Sequence, residues 1–182
     1  MSDALTLDYV LGSIARGTLP WEKSWAADFS AFGDRYTLHD SVWAGIFLDV
    51  CAGNEAVLVV EWDAHWLPEP LRTECMILAA QKPNFGNPFL LMRLSEIHAI
   101  ELRGYEVPLS GRAIGSAEES RNDLFNRLTI IDIVGGTVHV DFTGMIEFLA
   151  LRAQDGQPLK IASVAPRPVS SATSTPWWRF WK

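Results

Sequence analysis

In the stretch EWDAHW, residues 61–66, two carboxylates and an imidazole alternate: Glu61, Asp63 and His65. These side-chain types hold zinc, iron or manganese, and they move protons. On a β-strand alternate side chains share a face, so the three would line one side while Trp62, Ala64 and Trp66 line the other. TVHVDFT, residues 137–143, has the same design, with His139 and Asp141 opposite Val138, Val140 and Phe142. If the two strands lie side by side, Glu61, Asp63, His65, His139 and Asp141 converge on a metal-binding or hydrolytic centre. Each strand alone is also what a half-solvated antiparallel sheet requires. The chain has no HExxH, CxxC or EF-hand loop.

YTLHDSVW, residues 36–43, contains the residue types of a hydrolytic triad in His39, Asp40 and Ser41. Triad members converge from separate segments, and neighbours on a strand point apart. No serine sits in a GxSxG elbow. Asp40 and Ser41 therefore read as turn formers leading into the first long strand. Nucleotide-binding glycine patterns are absent as well. Cys51 and Cys75 lie in apolar runs, where thiols stay protonated and inert. No cofactor is implied.

The supporting elements follow from the pattern along 182 residues that are 48% hydrophobic and include eight tryptophans. Leu5, Leu11 and Ile14 give helical spacing, with Gly17 as the stop. In TLPWEKSWAADFSAFG, Trp21, Trp25, Phe29 and Phe32 recur at helix spacing before Gly33, which predicts a second helix with an aromatic core face. From residue 36 strands take over. SVWAGIFLDVC and AVLVVEWD flank the hairpin loop AGNE. WLPEPL is a loop or sheet edge, and CMILAA is a short apolar strand. FLLMRL and IHAIELR form two strands or one long bent one. Ser116 and Glu119 make a capping box, predicting a short helix to about Phe125. RLTIIDIV and TVHVDFT flank Gly135-Gly136, and MIEFLALRA and PLKIASV flank QDGQ, two further hairpins. The fold class expected is α+β: a mostly antiparallel β-meander of about eight strands with N-terminal helices. Residues 1–164 form one domain, helical over 1–34 and β-rich over 36–164.

Residues 165–182 differ in kind. Their Pro, Ser and Thr content reads as a linker ending in WWRFWK. Trp177, Trp178 and Trp181 with Arg179 combine the residue types that dominate binding hot spots, and the segment either docks on a partner or folds back so that its aromatics cover a groove and its cations meet the acidic body. Lys160, Arg167, Arg179 and Lys182 fall in the last 23 residues without an acid, so the −7 of the whole chain leaves −11 on residues 1–159. An acidic body repels nucleic acid and suits a basic protein partner. No apolar run is long enough to span a bilayer. The N-terminus lacks the basic start of a secretory signal, and two cysteines without such a signal read as reduced thiols in the cytoplasm.

YTLHDSVWAGIFLDVCAGNEAVLVVEWDAHWLP, residues 36–68, resembles a loose class of small bacterial β-meander proteins. These open with a hydrophobic-His-Asp-Ser turn, and some are similar to immunity proteins that neutralise toxins. The resemblance implies a structural turn at His39–Ser41 and no catalytic residues. The function expected is non-catalytic binding of a protein, in the manner of an immunity protein facing a basic toxin. Its expected contacts are Glu61, Asp63, Trp66, Glu69, Trp177, Trp178, Arg179 and Trp181.

Overall fold

The structure, a computed structural model, describes residues 7–49, 53–75, 87–104, 111–153 and 155–161. Two helices and nine strands follow in chain order. They are α1 (Leu7–Arg16), β1 (Trp25–Ala27), α2 (Phe29–Gly33), β2 (Val42–Asp49), β3 (Glu55–Glu61), β4 (Phe89–Leu94), β5 (Ile97–Arg103), β6 (Ile114–Arg121), β7 (Asn126–Asp132), β8 (Thr137–Phe142) and β9 (Ile146–Leu151). A further helical stretch covers residues 71–75. The class is α+β with antiparallel pairing throughout, but the strands form two sheets rather than one meander. One is five-stranded in the order β1-β9-β4-β3-β2, the other four-stranded in the order β5-β8-β7-β6.

The sheets pack face to face. Leu58, Val60, Leu90, Met92 and Phe148 from the first meet Leu128, Ile130, Val138, Val140 and Phe142 from the second in one buried cluster. The other face of the five-stranded sheet carries Val57, Val59, Leu91 and Leu149, covered by Val10 and its apolar neighbours on α1. Strand alternation accounts for both layers: in β3, even residues enter the inter-sheet core and odd residues face α1. The chain crosses between the sheets twice, from β4 to β5 and from β8 to β9. The crossings are tied where Thr143 donates its backbone N–H to the Glu96 carbonyl at 3.3 Å.

Of the three expected hairpins, β2–β3 and β7–β8 form, whereas around QDGQ, among the described residues, a single bridge, Leu151 to Pro158, replaces a second strand. At the β7–β8 turn, Gly135 adopts φ +90°, a conformation that L side chains resist. The expected single helix over residues 18–33 does not form. Trp21 lies in a 3₁₀ turn (Trp21–Lys23), Trp25 pairs with Phe148 in β1–β9, and only Phe29 and Phe32 are helical. Ser24 is extended, which breaks the helical period, and pairing with β9 supersedes it. The aromatic stripe is thereby divided. Trp21 packs on the α1 side, while Phe32 stacks on Phe148 in the inter-sheet core at 4.5 Å and 1°.

The helix expected from Ser116 is also replaced, by strand β6. Pairing with β7 overrides the local capping signal. Glu119, read as the cap of its own helix, caps α2 instead. Its carboxylate accepts from the backbone N–H of Phe29 at 2.7 Å and of Ser30 at 3.4 Å. Asp28, at the N-cap position, makes no side-chain capping bond. Burial lifts the Glu119 carboxyl above its ordinary value, against these two amides, which lower it. Glu119→Ala is expected to cost about 1–2 kcal/mol in urea unfolding, whereas Glu119→Gln, which keeps an acceptor, costs less.

Candidate functional site

The strand carrying EWDAHW ends early. Glu61 is the last residue of β3, half-buried on the face toward α1, opposite Val42 and Phe89. Trp62 turns into the core, fully buried, with ring centroids 5.8 Å from Phe32 and 5.5 Å from Tyr36. Trp62 thus lies on the side opposite Glu61, as strand alternation requires. Beyond Trp62 the alternation is lost. Asp63 accepts the backbone N–H of His65 at 2.9 Å and starts a 3₁₀ turn over Ala64–Trp66. Such a side-chain bond two residues on is how Asp breaks a strand. Ala64 is buried, but Trp66 is 51% exposed and not on an inner face.

Glu61, Asp63 and His65 are not brought to His139 and Asp141. The first three lie in or beside the five-stranded sheet. His139 and Asp141 are on β8 of the other sheet, alternating with the inward Val138, Val140 and Phe142 and so facing away from the core. The packed inter-sheet core separates the two groups. Each outer-face residue also has a partner of its own. His139 Nδ1 lies 3.0 Å from Thr129 Oγ1. Asp141 receives a two-pronged Arg127 contact, Nε to Oδ1 at 2.6 Å and Nη2 to Oδ2 at 2.8 Å. That pairing holds the Asp141 carboxyl below its ordinary value despite burial. Among the described residues, no group of three or more His, Cys, Asp or Glu is placed to hold a metal ion.

What residues 63–69 do build is a fixed, exposed aromatic. The Trp66 indole N–H donates to Asp40 Oδ2 at 3.2 Å, and the His39 ring meets Trp66 edge-on at 5.6 Å. His39 Nδ1 is 2.9 Å from the same Asp40 oxygen. Asp40 sits at φ +62°, in the turn the His-Asp-Ser residues were expected to form. Ser41 is buried, and its hydroxyl accepts the Asp63 N–H at 3.1 Å, binding the start of β2 to the end of β3. His65 projects into solvent, 72% exposed. Three residues beyond Trp66, Glu69 accepts from Thr73 Oγ1 at 2.6 Å and from its backbone N–H at 3.2 Å, and pairs with Arg72. The Thr73 hydroxyl, then Arg72, holds the Glu69 carboxyl below its ordinary value. Sequence reasoning missed Asp40 and His39 as supports of Trp66. The available signal was Asp63 itself, whose Asx-turn chemistry ends the strand and swings Trp66 outward.

Trp177, Trp178, Arg179 and Trp181 lie outside the described residues, as does Cys51. Cys75 is buried, and burial, with Glu74 adding to it against Arg152, pushes its thiol up to about 11. It is protonated at pH 8. Iodoacetamide labelling followed by peptide mapping is expected to modify Cys75 about 100-fold more slowly in the native than in the unfolded protein.

The described residues thus define a two-sheet antiparallel α+β protein with a braced tryptophan at one end of its β2–β3 hairpin. Among them, no helix is long and apolar enough to cross a membrane. Comparison with protein-family models, curated proteins and solved structures finds no match.

Proposed function

We propose that this is a non-catalytic protein-binding protein whose Trp66 surface takes a basic protein partner. Its most concrete form is an immunity-like neutraliser of a basic bacterial toxin. The observation that carries the reading is the half-exposed Trp66, held at its N–H by Asp40 and at its ring by His39. A large aromatic whose orientation is already fixed loses little freedom on binding, which is the character of an interface anchor. Asp40, Asp63 and Glu69 accompany it in and beside this turn. The acidic body steers a basic partner and mainly raises its association rate.

The test is affinity capture on the immobilised full chain and on Trp66→Ala, from lysate of the source cells. A basic protein should be retained by the native chain, with binding weakened by added salt and at least about tenfold weaker to the variant. Trp66→Ala should unfold within about 1 kcal/mol of the native chain, since the side chain is half in solvent. Retention of no basic protein, or equal retention by both chains, overturns the reading.

A further inference from the structure

The opposite end of the β2–β3 hairpin carries a groove on the α1 side of the five-stranded sheet. It has a volume of about 470 Å³ and is lined by Ile14, Trp21, Phe47 and Val57, with Asp49 and Glu55 among its walls. That size is in the range of sites that take a group of several rings, roughly 300–1,000 Å³. Leu48, also in its lining, is 54% exposed. The Arg93 guanidinium lies 4.4 Å over the Trp21 ring and is paired with Glu147, so this one cation in the lining is already neutralised. Among the described residues Glu55 makes no ion pair. The groove therefore asks for an occupant that is aromatic and cationic and carries no acid.

We infer that this occupant is the chain's own WWRFWK segment, residues 177–182. It supplies four aromatic rings and two cations within six residues and has no acidic side chain. Aromatic faces fill the apolar floor, and Arg179 or Lys182 meets Glu55. Reach permits it. The 16 residues from Ile161 to Trp177 span up to about 50 Å when extended. Ile161 follows Leu159, whose backbone N–H bonds the Ala150 carbonyl near one end of β9, and the groove lies toward the other end of that strand, about 20 Å away. The contact is distinct from the Trp66 surface, so either assignment can fail without the other.

A photo-crosslinking phenylalanine analogue in place of Trp178, in the full chain, tests this. After irradiation, peptide mapping of the monomer band should place crosslinks on the segments holding Trp21 or Phe47–Val57. The double variant Glu55→Lys, Leu48→Lys, with circular dichroism confirming its fold, should lower their yield roughly fivefold or more. Crosslinks only between two copies, only to the Trp66 surface, or absent from the groove segments overturn the inference. The map from the otherwise native chain decides this even if the double variant fails to fold.

Discussion

Replacing Trp62 with alanine is expected to destabilise the protein by about 3–5 kcal/mol, read as a lower midpoint in urea unfolding with little change in slope. The side chain is fully buried where α2, β3 and the inter-sheet core meet, packed against Phe32 and Tyr36. Its indole N–H donates to the Thr37 carbonyl at 2.7 Å. Truncation removes the packing and leaves that carbonyl without its donor. Trp62→Phe separates the two contributions: most of the packing stays, the hydrogen bond goes, and about 1 kcal/mol is lost beyond the change in ring volume. A loss below about 1 kcal/mol for Trp62→Ala would mean that the core collapses around the site, against the rigid packing inferred from the aromatic geometry.

Asp132 is expected to show the second large effect. Its side chain has 0% exposure. Oδ1 accepts from the backbone N–H of Val134 at 2.9 Å and of Gly136 at 2.8 Å, and Oδ2 accepts from Arg112 at 3.0 Å. The carboxylate thus shapes the β7–β8 turn and anchors it to the segment entering β6. Burial by itself would raise its carboxyl. Arg112 and the two amides outweigh that and hold it below the ordinary value. Asp132→Ala leaves two amides and a partly buried guanidinium short of an acceptor, at a cost of about 2–4 kcal/mol. The pH dependence has a definite sign. The folded-state pKa is depressed, so the unfolded chain takes up the proton first as pH falls. Asp132 therefore contributes fully above the ordinary carboxyl value of about 4, and that contribution is lost below it. Urea midpoints measured from pH 7 to pH 3 should fall less steeply for Asp132→Asn than for the native chain. Equal slopes would refute the role given to this carboxylate.

What could be read beforehand was local. AGNE and Gly135-Gly136 carry their turn chemistry within a few residues, so both hairpins were evident. The alternation through residue 62 placed Trp62 inward. The rest depends on pairings between distant segments. Trp25 looks helical until Phe148, 123 positions on, offers it a strand. Ser116–Glu119 looks like a capping box until β7 claims the segment and α2 takes the carboxylate. The candidate site divided in the same way. His139 and Asp141 do share a face, as alternation requires, but which sheet each strand joins is set by contacts that no short motif encodes. Trp66 shows the limit of extending a period past its last strand residue, because one side-chain bond from Asp63 redirected it.

The position of β9 has a consequence for synthesis. Among the described strands it is the last to emerge, yet it lies inside the five-stranded sheet, between β1 and β4. Until residues 146–151 leave the ribosome, β4 presents an unpaired edge flanked by Leu90, Leu91 and Met92, and β1 has no neighbour at all. A nascent chain halted before that point exposes apolar surface and open strand edges together, a combination that invites association with other chains. Completion of this sheet thus waits until residues 146–151 have emerged, well after β1 and β4. Chaperone dependence should be greatest for chains that stop just short of residue 146.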